Sequence, residues 1–96
     1  MEISIREEEK IREFLSLFDE EEQTYIARWI IDAFETPHIM PSEDQSVADF
    51  IVELYQYLRE DCSWNSAPEA IADMKDFVMT EKEYFEARGF DFDSLD

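Results

Sequence analysis

Four times along this chain a serine or threonine is followed three residues later by glutamate or glutamine, and apolar residues at helical spacing come next: Ser4/Glu7, Ser42/Gln45, Ser66/Glu69 and Thr80/Glu83. In this pattern the hydroxyl accepts the backbone N–H of the later residue, whose side chain returns to the first, so each pair marks a helix start. Asp19, followed by Glu20, Glu21 and Glu22, offers a fifth start, because an N-terminal first turn favours negative charge. The apolar stripes run Ile11, Phe14, Leu15, Phe18; then Tyr25, Ile26, Trp29, Ile30, Ala33, Phe34; then Val47, Phe50, Ile51, Leu54, Tyr55, Leu58; then Ala67, Ala70, Ile71, Met74, Phe77, Val78; and finally Tyr84 and Phe85. Helices are expected over roughly 5–18, 20–35, 43–60, 67–79 and 81–88, the second being the most buried.

The breaks agree with this division. Pro37 and Pro41 bound an aperiodic loop, Pro68 falls in a first turn where proline is tolerated, and Gly89, the only glycine, sits where a helix C-terminus favours a left-handed residue. Five starts leave no room for a sheet. The tail Phe90-Asp91-Phe92-Asp93-Ser94-Leu95-Asp96 alternates like a strand but has no partner, so it is expected to lie extended against the helices. The fold class is therefore all-α: one domain over 1–96, an irregular bundle of about five helices.

An apolar share of 45%, with 15% aromatic, is enough for one core and too high for intrinsic disorder, so the chain should fold without a ligand. No apolar run approaches a membrane span, and Met1 to Glu9 lacks the basic and apolar segments of a signal peptide, which points to a cytoplasmic protein. Cys62 is the only cysteine, so no internal disulfide forms.

Catalysis and metal binding need convergent groups that are scarce here. His38 and Cys62 are single copies in connections, where an ordinary loop histidine and a lone thiol are the simpler reading. Glu35-Thr36-Pro37-His38 has the Glu-x-x-His spacing of di-iron bundles, but those need two copies on intact helices and Pro37 breaks this one. One glycine excludes a phosphate-cradling loop and an EF-hand, and Asp91, Asp93 and Asp96 amount to a weak surface cation site at most. We expect no cofactor, no metal and no enzymatic activity.

The charge is the unusual feature: 26 acids against 8 bases, a formal net charge of −18. Direct contact with nucleic acid or an anionic membrane is disfavoured, and a basic protein partner is favoured. The acids form rows opposite the apolar stripes: Asp49, Glu53 and Glu60 on the third helix, and Glu69, Asp73 and Asp76 on the fourth, with Glu9 and Glu13 on the first. Acids four residues apart are separated by about 6 Å of helix, comparable in scale with phosphates along a strand. A compact chain of this size is about 32 Å across, and duplex DNA of that length carries about 19 charges.

Like-charge pairs such as Asp49/Glu53 cost roughly 0.2 to 0.5 kcal/mol each, so folding alone does not explain the acids. A single-sign surface kept for solubility does, as does a salt-adapted source, although the apolar core is rich for the latter. In size and charge the chain resembles the small acidic phage-encoded DNA mimics, including anti-restriction and anti-CRISPR proteins, without matching a motif of any of them. That resemblance implies an inhibitor blocking a basic nucleic-acid-binding protein. The alternative is an adaptor, immunity-type or antitoxin-type protein docking a basic partner through a bundle face or the Phe90-Phe92-Leu95 tail. Trp64, Tyr57, Phe90 and Phe92 are the candidate aromatic anchors, with Trp29 at the edge of its stripe; packing at the core margin is the simpler role for such rings, and a homodimer contact is a further one.

Overall fold

The structure, a computed structural model, describes residues 5–36 and 39–95, so Ser4, Pro37, His38 and Asp96 lie outside the described residues. Five α-helices follow in order: α1 (Ile5–Leu15), α2 (Glu20–Ala33), α3 (Val47–Glu60), α4 (Ala67–Thr80) and α5 (Lys82–Ala87), with a 3-10 turn at Phe92–Leu95. Among the described residues there is no strand.

Side-chain caps start three of the helices. Asp19 accepts the N–H of Glu22 at 2.8 Å while the Glu22 carboxylate accepts the N–H of Asp19 at 2.9 Å, a complete reciprocal box. Ser66 accepts from Glu69, whose carboxylate reaches one residue further back to the Asn65 N–H at 2.9 Å. Two expected starts differ. Ser42 and Gln45 close a turn of their own, and α3 begins at Val47 with Ser46 accepting the Asp49 N–H, because the apolar stripe that rewards a helix starts only there. The Thr80 hydroxyl bonds the Asp76 carbonyl inside α4, so Glu81 joins α4 to α5 without a side-chain cap.

The ends share one device. Glu35 after α2, Cys62 after α3 and Gly89 after α5 all have positive φ, at 50°, 63° and 83°. In each case the next N–H returns to a carbonyl in the last turn: Thr36 to Ile31, Ser63 to Leu58 and Phe90 to Phe85, each at 3.0 Å. α1 stops at Leu15 rather than near 18, since Leu17 and Phe18 make tighter bonds to Phe14 and Leu15 that turn Phe18 inward. Gln23 of α2 then donates to the carbonyls of Leu15 and Phe18, satisfying acceptors at the end of α1.

α3 is the most buried helix, burying Phe50, Ile51, Val52, Leu54, Tyr55 and Leu58, and it packs on α2 and α1. The expectation that α2 would hold that place fails because its aromatic face, Tyr25, Trp29 and Phe34, stays half exposed. α4 closes the bundle on α1 and α2. The tail lies against the core but is not extended: its 3-10 turn buries Leu95, and Phe90 stacks on Phe18 at 4.7 Å.

The three left-handed positions make a backbone test. Glycine adopts this geometry freely, whereas a Cβ makes it costly. Gly89→Ala, with open space around the added carbon, is expected to lose about 1 kcal/mol. Cys62→Gly is expected to gain about 0.5 to 1 kcal/mol, read as opposite shifts of the urea midpoint at unchanged slope.

Candidate functional site

The acids of α3 meet those of α1 in a polar groove of about 370 Å³ lined by Glu8, Arg12, Gln45, Asp49, Val52, Glu53 and Gln56. Arg12 forks between Asp49 at 2.6 Å and Glu8 at 3.1 Å, and its hydrogen bond holds the Asp49 carboxyl below the usual carboxylate range. Glu53 accepts from the Gln45 amide at 3.2 Å. Glu9 and Glu13 are exposed on α1, and Glu60 is exposed in the last turn of α3. The structure thus brings Asp49, Glu53 and Glu8 into one groove, where one guanidinium bridges Asp49 and Glu8 and so tempers the repulsion of Glu53 by Asp49 beside it.

The row on α4 is divided. Glu69, although exposed, serves the helix start, Asp73 is half-buried and accepts the indole N–H of Trp64 at 2.8 Å, and Asp76 is exposed. Trp64 is fully buried, edge-to-face with Phe34 at 5.0 Å, and so is a core residue rather than a surface anchor. Phe90 and Phe92 are half-buried against the core, and of the four rings named from sequence only Tyr57, at 37%, counts as exposed.

The sequence reading missed an aromatic strip between α2, α4 and α5. Tyr84 stacks on Tyr25 at 4.0 Å, Tyr25 meets Phe77 at 5.4 Å, Phe77 stacks on Trp29 at 4.8 Å and Trp29 meets Phe34 at 6.0 Å; all five rings are half-buried. Tyr25, Trp29 and Phe77 form the wall of a depression of about 270 Å³ rimmed by Arg28, Asp32 and Glu81. Burial is the main reason the Tyr25 phenol is pushed up, with Glu81 adding to it. Of the rim acids, Asp32 stands where folding disfavours it, in the last turn of α2, which has no basic residue, whereas Glu81 lies between the end of α4 and the start of α5. The dipole of a helix C-terminus repels negative charge by about 0.3 to 1 kcal/mol. A signal was present in the width of the α2 stripe, whose aromatic positions 25, 29 and 34 exceed what one neighbouring helix covers.

One polar network is internal. Glu7 of α1 accepts from the Tyr55 hydroxyl at 3.0 Å and pairs with Arg59 at 3.2 Å, while Arg59 also donates to the Asn65 carbonyl at 2.6 Å. Burial, helped by Glu7, pushes the Tyr55 phenol up to about 12. Cys62 is exposed, and among the described residues no group of three or more His, Cys, Asp and Glu is arranged to hold a metal. No described helix is long and apolar enough to cross a membrane. Comparison of the chain with protein-family models, curated proteins and solved structures finds no match in any of the three.

Two measurements check this geometry. The folded Tyr55 phenol loses its proton near 12 rather than at its ordinary 10, so its contribution to stability is full below about pH 10 and disappears as the pH climbs through about 12. Subtracting the denaturation profile of Tyr55→Phe from that of the unaltered chain should isolate a fall in that window. Asp32→Asn, which removes a charge the dipole opposes, should raise stability by about 0.3 to 0.5 kcal/mol in the same assay.

Proposed function

We propose that the chain is a non-enzymatic protein-binding module, acting in the cytoplasm, that blocks a basic nucleic-acid-binding protein by presenting DNA-like negative charge. One observation carries the reading: acids remain where folding gains nothing from them. Asp32 opposes a helix dipole, and Asp76, Glu9 and Glu13 stand in solvent, whereas Arg12, Arg59 and Arg88 are drawn into ion pairs that hide positive charge from a partner. The net charge of −18 spreads over a body 37 Å long, and duplex DNA of that length carries about 22 charges. A groove shaped for DNA would therefore meet a comparable density, and electrostatic steering would speed the encounter.

A second reading, an adaptor that docks a specific basic partner through an aromatic face, draws support from the half-exposed strip of Tyr25, Trp29 and Phe77. Capture from a lysate of the source organism on the tagged chain, washed at low and at high salt, separates the two. The inhibitor reading expects a basic nucleic-acid-binding protein that high salt and added duplex DNA both displace. A partner held through high salt and indifferent to DNA contradicts it and supports the adaptor.

A further inference from the structure

The molecule already contains one arginine bound in the manner a partner's arginine would require. Arg88, just after α5, lies over the Tyr84 ring at 5.8 Å and pairs with Asp19 and Glu21 of the α2 start, so a guanidinium there has an aromatic face beneath it and carboxylates at its edge. The depression in the middle of the same strip has the same elements. Stacked Trp29 and Phe77, with Tyr25 beside them, supply the ring faces, and Asp32 and Glu81 supply the carboxylates.

Resting on the reading of a basic partner, we propose that this depression is a receptor for a single arginine side chain of that partner. Size, charge and chemistry agree. At about 270 Å³ it is smaller than the roughly 300 Å³ at which small-molecule sites begin, and so suits one side chain. With Asp32 and Glu81 against Arg28, its lining carries one net negative charge, which one arriving cation neutralises. A planar guanidinium both stacks on rings and bonds carboxylates edge-on, which a lysine ammonium does not. A second copy of the chain is disfavoured as occupant because it would bring another −18 to the contact. Asp32, set against the dipole of its own helix, acquires a role here that folding does not give it.

The test uses the full chain and a capped Gly-Gly-Arg-Gly-Gly peptide, with its lysine and citrulline counterparts, titrated at low salt and followed by NMR. The chain has two tryptophans, so two indole N–H signals report separately on the depression (Trp29) and on the buried core (Trp64). The arginine peptide should shift Trp29 saturably and leave Trp64 in place. It should bind roughly three- to tenfold more tightly than the lysine peptide of equal charge, and more tightly still than the neutral citrulline form. Asp32→Asn should weaken the arginine peptide by a similar factor, and Trp29→Leu should abolish the arginine preference while the Trp64 signal certifies the fold. Shifts confined to Glu8, Asp49 and Glu53, with Trp29 unmoved and lysine equal to arginine, would overturn the receptor and leave the basic-partner reading standing. Absence of binding by any of the peptides would overturn the receptor and count against that reading too. A Trp29 signal that moves with protein concentration alone would assign the depression to a second copy.

Discussion

Mutual repulsion among carboxylates opposes every compact arrangement of this chain, and burial of one apolar core is what overcomes it. The burial is continuous, running from Ile11 and Leu15 through Ile26, Ile30, Leu54 and Leu58 to Met74, Val78 and Phe85. The arginine pairs stand at the seams of that core. Arg12 joins α1 to α3, Arg59 joins α3 to α1 through Glu7, and Arg88 joins the end of α5 to the start of α2. Exposed pairs contribute about 0 to 1 kcal/mol each, so those of Arg12 and Arg88 temper local repulsion where helices meet rather than drive folding, while the Arg59–Glu7 pair is half-buried. Three of the eight bases are thereby held at contacts, while Arg6, Lys10, Arg28 and Lys82 are exposed on helices where acids outnumber them.

The same packing sets the character of the two surfaces. α3, surrounded by α1 and α2, spends its apolar residues on the core and offers acids to the α1 groove. α2 carries more aromatic surface than α3 and α4 cover, and the excess emerges as the strip from Tyr84 to Phe34. Charge and aromatic rings are the two means by which a protein attracts and then anchors a basic partner.

Local signals carried the architecture: the existence and order of five helices, the Asp19 and Ser66 starts, Pro68 in a first turn and the left-handed Gly89 were all legible in the residues. What was not legible depended on tertiary context. Two capping patterns, at Ser42 and Thr80, were satisfied locally without starting a helix, because a pattern of hydrogen-bonding residues does not say whether the segment buries anything. Left-handed Glu35 and Cys62 carry no compositional mark, and the tail was read from its alternation, whereas Leu95 is drawn in by the core. On the surface, helical spacing placed Asp49 and Glu53 together, but only the fold reveals that Asp73 is engaged by Trp64, that Trp64 is interior, and that Trp29 meets Phe77 from another helix.

The claim at the centre of this account is that the negative surface is carried against the interest of folding. Thermal unfolding of the unaltered chain at neutral pH, with sodium chloride raised from about 0.02 M to about 0.5 M, addresses it directly, since the screening length shrinks from beyond 20 Å to roughly 4 Å over that range. The account predicts a midpoint that climbs with salt as self-repulsion is screened. A midpoint that falls would mean that ion pairs are the dominant electrostatic contribution, and that the acids are there to hold the fold together.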